Sequence, residues 1–432
     1  MTARLLLGQT LEFTANPFLE GKDSARHRER GGILIEHGVI VAVDQAETLR
    51  SDHPEAEVVD HGMDLILPGF VDAHVHYPQT GIIASWGRRL IDWLNTYTFP
   101  EESRFGDQDY ADRMAALYLD FSLANGITTA ASYCTIHPES VDALMGQAAK
   151  RGMRMVAGKV MMDRNAPDTL RDDAQTGYDQ SKALLQRWHG RDRLSYAITP
   201  RFAPTSTPAQ LEAAGALWAE HPDCAMQTHL SEQHEEIALV RELFPQDPDY
   251  FGVYERFGLT GPGAIMGHAI HLQPREIEAM ASTGTGVAHC PTSNAFIGSG
   301  PQCDVRGLVE RGIPVGLATD VGGGSSFSML HTMAAAYEMG QLRGDSLHAR
   351  ELLWLATGGA AEVLRLDGKV GRLAAGVEAD LTVIDLASTP IIAERASRAR
   401  DIWDALFATI MLGDDRAIAR TYVAGKPVEQ MG

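Results

Sequence analysis

The chain has 432 residues and a formal net charge of −20, and no stretch approaches the roughly 20 apolar residues of a spanning helix. That charge argues against a nucleic-acid polymer or an anionic membrane as partner, and says nothing against a small neutral base. The cysteines Cys134, Cys224, Cys290 and Cys303 are far apart with no CxxC, and "ARLLLGQTLEF" is too short an apolar run for a signal peptide, so a reducing, cytoplasmic setting is expected.

The first residues read as short strands with turns: "RLLLGQTLEFTA", "GGILIEHGVIVAVD" around a Gly turn, and "AEVVD". "ILPGFVDAHVHYPQT", from Ile66 to Thr80, follows as a strand with Pro78 at its limit. Helical stretches such as "DRMAALYLDFSLANG", "PAQLEAAGALWAEHP" and "REIEAMASTG" then alternate with strand-like runs. Those runs are "RMVAGKVMM", "RLSYAITPRFAP", "CAMQTHLSE", "GAIMGHAIHL", "GTGVAHCPTSN" and "IPVGLATDVGGG". Such alternation implies a parallel sheet covered by helices, and the number of units favours an α/β fold of the (β/α)8, TIM-like type over an open sheet. "ADLTVIDL" and "ARTYVAGKPV" return to short strands. Residues 1–67 and 369–432 are therefore expected to form one small β-sandwich domain, with the barrel over 68–368.

The polar residues cluster at strand ends, where barrel enzymes build their active sites. In a helix His74 and His76 would diverge by about 200°; in a strand they share a face, which suits a common metal ion. A pair of core or surface histidines has the same pattern, since HxH is a short motif. His229, His268 and Asp320 each close a later apolar strand, and three imidazoles with a carboxylate form the donor set of a catalytic zinc or related divalent site. Glu232 lies three residues past His229, so it reaches the same site only if the chain leaves the strand at Leu230 or Ser231. It reads equally well as a helix N-terminal carboxylate, with Ser231 as the cap of "SEQHEEIALV".

In this order "PGFVDAHVH", "THLSE", "GHAIHL", "AHCPTSN" and "ATD" resemble the amidohydrolase superfamily, and "VGRLAAGVEADLTVID" resembles its return to the small β domain. More narrowly, "HVHYPQT", "LIDWLNTYTFPEESRF", "GKVMMDRNAP", "ITPRFAPTST" and "THLSE" resemble the guanine deaminases within it. The resemblance implies hydrolysis of guanine to xanthine and ammonia in purine catabolism, one Zn2+ per chain and a homodimer. It implies His74, His76, His229 and Asp320 as ligands, with His268 beside the metal-bound water and Glu232 as proton shuttle. His76 to Gln79, with Arg201 and Phe202, would line the purine pocket, which His229, Glu232 and Asp320 also reach.

Chemistry gives these residues definite tasks. Asp320 would accept the water proton while His268 orients the nucleophile. Glu232 would protonate N3 as C2 becomes tetrahedral, and later the leaving amine. Guanine's adjacent O6 and N7 suit a two-pronged arginine contact, for which Arg201 is placed, whereas adenine puts a donor at that edge. Phe202 would stack and Gln79 would read the polar edge. An acidic surface partner for Arg201 and core packing for Phe202 are the plainer alternatives. Asp72 reads as a hydrogen-bond acceptor behind the ligands or as a structural residue at the barrel floor. His289 and Asn294 read as neighbours of the site without direct contact to it, Trp86 and Trp93 close the pocket or simply pack, and His234 and His271 are not expected as ligands. "DVGGGSS" lacks the GK[ST] of a phosphate loop. Rival readings are an aminohydrolase or chlorohydrolase of another N-heterocycle, a binuclear hydrolase with a carboxylated Lys159, and a non-catalytic binding or assembly protein on this scaffold.

Overall fold

The computed structural model describes residues 3–87, 90–300 and 302–429; residues 1–2 and 430–432 of the expected terminal segments lie outside the described residues. Eight strands pair in parallel, each with the next: Phe70–His76, Ile127–Tyr133, Arg154–Gly158, Leu194–Pro200, Ala225–Leu230, Ala264–His268, Gly286–His289 and Val315–Leu317. They are called the first to eighth barrel strands below. The ring comes close to closing between its ends, where Asp320 N–H donates to the His74 carbonyl at 3.0 Å and His76 N–H donates to the Val321 carbonyl at 2.8 Å. The expected TIM-like barrel is thus the fold, and its seam is built from the segments that carry His74, His76 and Asp320.

Small apolar residues, among them Val71, Ala73, Ala131, Ala197, Ala288 and Ala318, form one buried cluster of the barrel strands. Helices cover the outside. Gln108–Ala124 starts on Asp107, whose carboxylate accepts from Asp109 and Tyr110 N–H, and Pro208–Glu220 starts on Thr207 with Pro208 in its first turn. Their apolar faces join the largest buried cluster.

Both ends of the chain enter a second sheet. Arg4–Phe13 pairs antiparallel with Ala25–Glu36 and parallel with Glu57–Pro68, and Leu381–Ile384 pairs antiparallel with Leu65–Pro68. Arg154 and Arg193 donate to Glu378 at 2.9 and 3.1 Å, fixing the returning chain against the third and fourth barrel strands.

The single strand expected from Ile66 is two. Glu57–Pro68 belongs to the second sheet and Phe70–His76 to the barrel, with Gly69 between. A Cβ on Gly69 would lie 2.2 Å from Thr128 Oγ1, so only glycine lets the chain pass between the two sheets there. Extended structure stops at His76 rather than at Pro78, and Tyr77–Ile82 forms a short 3-10 helix. The barrel strand Ile127–Tyr133 was not anticipated: Thr and Ser dilute its apolar signal, although every residue in it is buried. The helices Pro390–Ala396 and Ile402–Leu412, interposed in the C-terminal segment, were not anticipated either.

Candidate active site

The first barrel strand is buried along its whole length, and a register irregularity between Asp72 and Val75 bends it beside the site. His74 and His76 leave it with ring centroids 5.2 Å apart, and the His229 ring, from the fifth strand, lies 4.7 and 5.1 Å from theirs. One ring nitrogen of each can be taken so that all lie within 4.8 Å of one another. Gly267, on the sixth strand, makes room for this: a Cβ there would lie 2.7 Å from His74 Cε1. Tyr133 packs behind, its ring stacked on His76 with centroids 4.4 Å apart.

The hydrogen bonds around these rings fit a cation. His229 Nδ1 lies 2.7 Å from the Arg201 carbonyl, which can only accept; Nδ1 therefore carries the proton and Nε2 is left with a lone pair. That Nε2 lies 3.1 Å from His76 Nε2. Among the described residues, both nitrogens of His74 and the Nδ1 of His76 are buried without a hydrogen-bond partner. Burial holds all three imidazoles below their usual pKa, and therefore neutral. Converging neutral imidazoles beside a carboxylate are a donor set for a divalent metal. Asp320 is that carboxylate: its Oδ1 lies 3.4 Å from His74 Nε2 and 3.6 Å from His76 Nε2. Burial alone would raise its pKa, but the adjacent His74 and His268 imidazoles outweigh it and hold the carboxyl at about 2.

A buried carboxyl and a fourth imidazole stand beside this centre. Ser231 adopts a positive φ of 49° after the fifth strand ends at Leu230, and this bend brings Glu232 over the mouth of the barrel. The helix begins only at His234, capped by Gln233 and Glu236, so the expectation of Ser231 as cap is corrected. The Glu232 carboxylate instead accepts from Ser299 Oγ at 3.1 Å and faces His268 Nε2 at 3.6 Å. Burial raises its pKa to about 7, with His268 opposing and Glu236 adding. His268 donates through Nδ1 to Asn294 Oδ1 at 2.9 Å, and its Nε2 lies 3.8 Å from Asp320 Oδ2. Burial opposes its protonation, yet Glu232 and Asp320 on either side raise its pKa. His268 (φ 68°) and Asp320 (φ 49°) also occupy the left-handed region, turning the chain at the ends of their strands.

A cleft joins these groups to a polar edge. His76, Gln79, Arg201, Phe202, His229, Glu232, His268 and Asp320 line it, and Leu90, Trp93, Leu94 and Ile297 supply apolar surface. Arg201 meets not an acidic surface partner but the fully buried Glu102, with Nη1 donating to Oε2 at 2.8 Å. Gln79 Nε2 donates to the other oxygen of Glu102 at 2.9 Å, and Gln79 Oε1 accepts from Gly322 N–H at 3.2 Å. Phe202 is only partly buried and opens onto the cleft rather than into the core.

Sequence reasoning missed Glu102, which lies inside the quoted "LIDWLNTYTFPEESRF" with nothing local to separate it from its neighbour Glu101. Cys290, expected only as one of four scattered cysteines, sits in a ligand-capable group with His74, His268 and Asp320. Burial pushes that thiol well up, so it stays protonated. Asp72 reaches no imidazole; it accepts from Thr319 N–H at 3.0 Å, from Thr319 Oγ1, and from His74 N–H at 3.3 Å. Lys159 is buried in an ion pair with Asp172. His289 bonds Gln302 at 2.8 Å, and Trp86 is exposed while Trp93 lines the cleft. The "VGGG" glycines serve close approach: a Cβ on Gly322 would lie 2.8 Å from the Gln79 carbonyl and one on Gly323 2.8 Å from Ser293 Oγ.

The amidohydrolase family model matches residues 65–428, and a bacterial imidazolonepropionase-like composite domain matches residues 31–56. A curated guanine deaminase from Escherichia coli (strain K12) is 44% identical over 404 residues, covering 93% of this chain and 92% of the relative. The solved structure of E. coli guanine deaminase superposes with a TM-score of 0.97 at 42% identity, over 99% of this chain and 100% of that one. Guanine deaminase from C. acetobutylicum, solved with guanine bound in the active site, gives a TM-score of 0.90 at 29% identity over 99% of this chain and 100% of that one.

Proposed function

This chain belongs to the amidohydrolase family, and we propose that it is a guanine deaminase, hydrolysing guanine to xanthine and ammonia in purine catabolism. The observation that carries this reading is one cleft in which a three-imidazole cluster and two carboxyls of opposite proton affinity face a donor-bearing edge of Arg201 and Gln79. Similarity over nearly the whole chain to guanine deaminases supports it.

In this reading His74, His76, His229 and Asp320 hold one Zn2+ per chain. When bound, the ion supplies an acidified water as nucleophile near neutral pH. Arg201 donates to O6 and N7 of guanine, Gln79 donates to the same polar edge, and Phe202 stacks on the ring. Asp320, ionised at neutral pH, accepts the water proton. His268, fixed by Asn294, hydrogen-bonds the attacking oxygen through Nε2. Glu232, with a pKa of about 7, is about half protonated at that pH and delivers its proton to N3 as C2 becomes tetrahedral; its carboxylate then takes the C2 hydroxyl proton and passes it to the amine, which leaves as ammonia, and the proton held by Asp320 restores Glu232.

The same reading makes the protein a cytoplasmic homodimer. All four cysteines are free and buried, which suits a reducing compartment. The test is xanthine and ammonia release from guanine, with metal content measured before and after chelation. Turnover that is lost with the metal and restored by Zn2+ supports the reading. Negligible turnover of guanine by metal-loaded protein, against a panel of triazines and pterins, refutes it. Sedimentation of the metal-loaded protein as a monomer would refute the dimer.

A further inference from the structure

The two polar groups assigned to the purine edge meet at a carboxylate that no part of the reaction above uses. Glu102 is fully buried, and its two oxygens are divided between partners 23 and 99 residues away in sequence. Oε1 accepts from Gln79 Nε2 at 2.9 Å and Oε2 accepts from Arg201 Nη1 at 2.8 Å. We propose that Glu102 is a positioning residue for purine selectivity: it holds Gln79 and Arg201 as donors, so that the cleft admits a purine with an acceptor at position 6 and rejects one with a donor there.

The argument rests on which groups can donate. A carboxylate only accepts and the Gly322 backbone N–H only donates, so the amide of Gln79 has one orientation that satisfies both. Its second N–H and the remaining guanidinium N–H groups of Arg201 are then the groups available to a ligand. The buried negative charge also balances the buried guanidinium, so the edge presents donors without an unpaired cation. An amide at position 102 cannot do this. Its oxygen can serve one of the two donors, but its N–H2 group faces the other. Gln79 then either rotates, abandoning Gly322, or loses its partner.

This proposal rests on the guanine deaminase reading, and the experiment keeps the two apart. Hypoxanthine keeps O6 and N7 and lacks the 2-amino group, while adenine carries an amino group in place of O6. Their binding to metal-loaded protein is measured by calorimetry for the wild-type chain, Glu102→Gln and Glu102→Asp. The preference for hypoxanthine over adenine is expected to fall about tenfold or more in Glu102→Gln, within the 5- to 150-fold range, roughly, that one such paired contact discriminates. The guanine KM should rise by a similar factor with a smaller change in kcat. Glu102→Asp, which keeps the charge but cannot span both donors, should shift the preference in the same direction by less. A purely structural role would weaken both purines equally, and that result, or an unchanged preference, overturns the proposal. Should Glu102→Gln fail to fold, an unchanged preference in Glu102→Asp overturns it. Failure of the wild-type chain to turn over guanine instead refutes the functional reading itself.

Discussion

Replacing Glu232 by Gln removes a proton and a charge while keeping the shape. In the structure the side chain is fully buried, accepts from Ser299 Oγ at 3.1 Å, and faces His268 rather than the three-imidazole cluster. The variant should therefore bind one equivalent of metal, as the parent does. The amide oxygen of the variant side chain can keep the Ser299 bond, so the guanine KM should change little. What disappears is the proton for N3, and positioned acid–base groups contribute about 10²–10⁴-fold. At about 1.36 kcal/mol per decade this is roughly 2.7–5.4 kcal/mol of barrier, expected as a loss in kcat. The pH profile adds a second readout. With a pKa of about 7, Glu232 is mostly protonated below that value and is depleted about tenfold for each pH unit above it. The parent should show an alkaline limb in kcat near pH 7, and Glu232→Gln should lack it. Stopped-assay xanthine release from pH 5 to 9, with metal content on the same samples, decides the matter. Turnover within about threefold of the parent, or an unchanged alkaline limb, would refute the assignment.

Gly267→Ala tests how the metal cluster is accommodated: the new methyl would lie 2.7 Å from His74 Cε1, so metal affinity should fall at least about tenfold by competition with a chromogenic chelator. Unaltered affinity would mean that His74 is not confined by that strand. Arg201→Lys keeps the charge but loses the planar two-pronged donor, so the guanine KM should rise by about 5- to 150-fold with less effect on kcat, and an unchanged KM would remove Arg201 from recognition. Asp72→Ala removes the acceptor of Thr319 N–H, Thr319 Oγ1 and His74 N–H, costing on the order of 2–3 kcal/mol, read as a lower denaturation midpoint. A stability equal to the parent's would show that this carboxylate does not tie the first strand to the eighth. Burial of His74, His76 and His229 lowers their pKa values below 6.5, so protons should compete for the metal only below that pH. Half-loss of metal on dialysis at pH 6.5 or above would contradict this.

The periodicities of the chain were enough for the parts of the fold and site that depend on neighbours in sequence. Two-residue spacing put His74 and His76 on one side of a strand, and repeated strand–helix units implied a barrel whose mouth gathers strand ends. The same local rules failed where one stretch serves two sheets. Ile66–Pro68 and Phe70–His76 look like one apolar run, and only the approach of Gly69 to Thr128 separates them. "ITTAASY" went unnoticed because its burial is imposed by the strands on either side, not by its own hydrophobicity.

What tertiary structure decided is which polar groups meet. The amino-acid pattern determined that donors for a metal recur at the ends of successive strands, because alternation and chain order are local properties. It could not determine that Glu102 rather than Glu101 joins Arg201 and Gln79, that Asp72 turns to Thr319, or that Lys159 is held by Asp172. Nor could it foresee that Ser231, His268 and Asp320 leave their strands through left-handed conformations. Those choices follow from closing the barrel, which brings distant segments within hydrogen-bond reach and removes water, so that each buried charge must find its partner across the fold rather than along the chain.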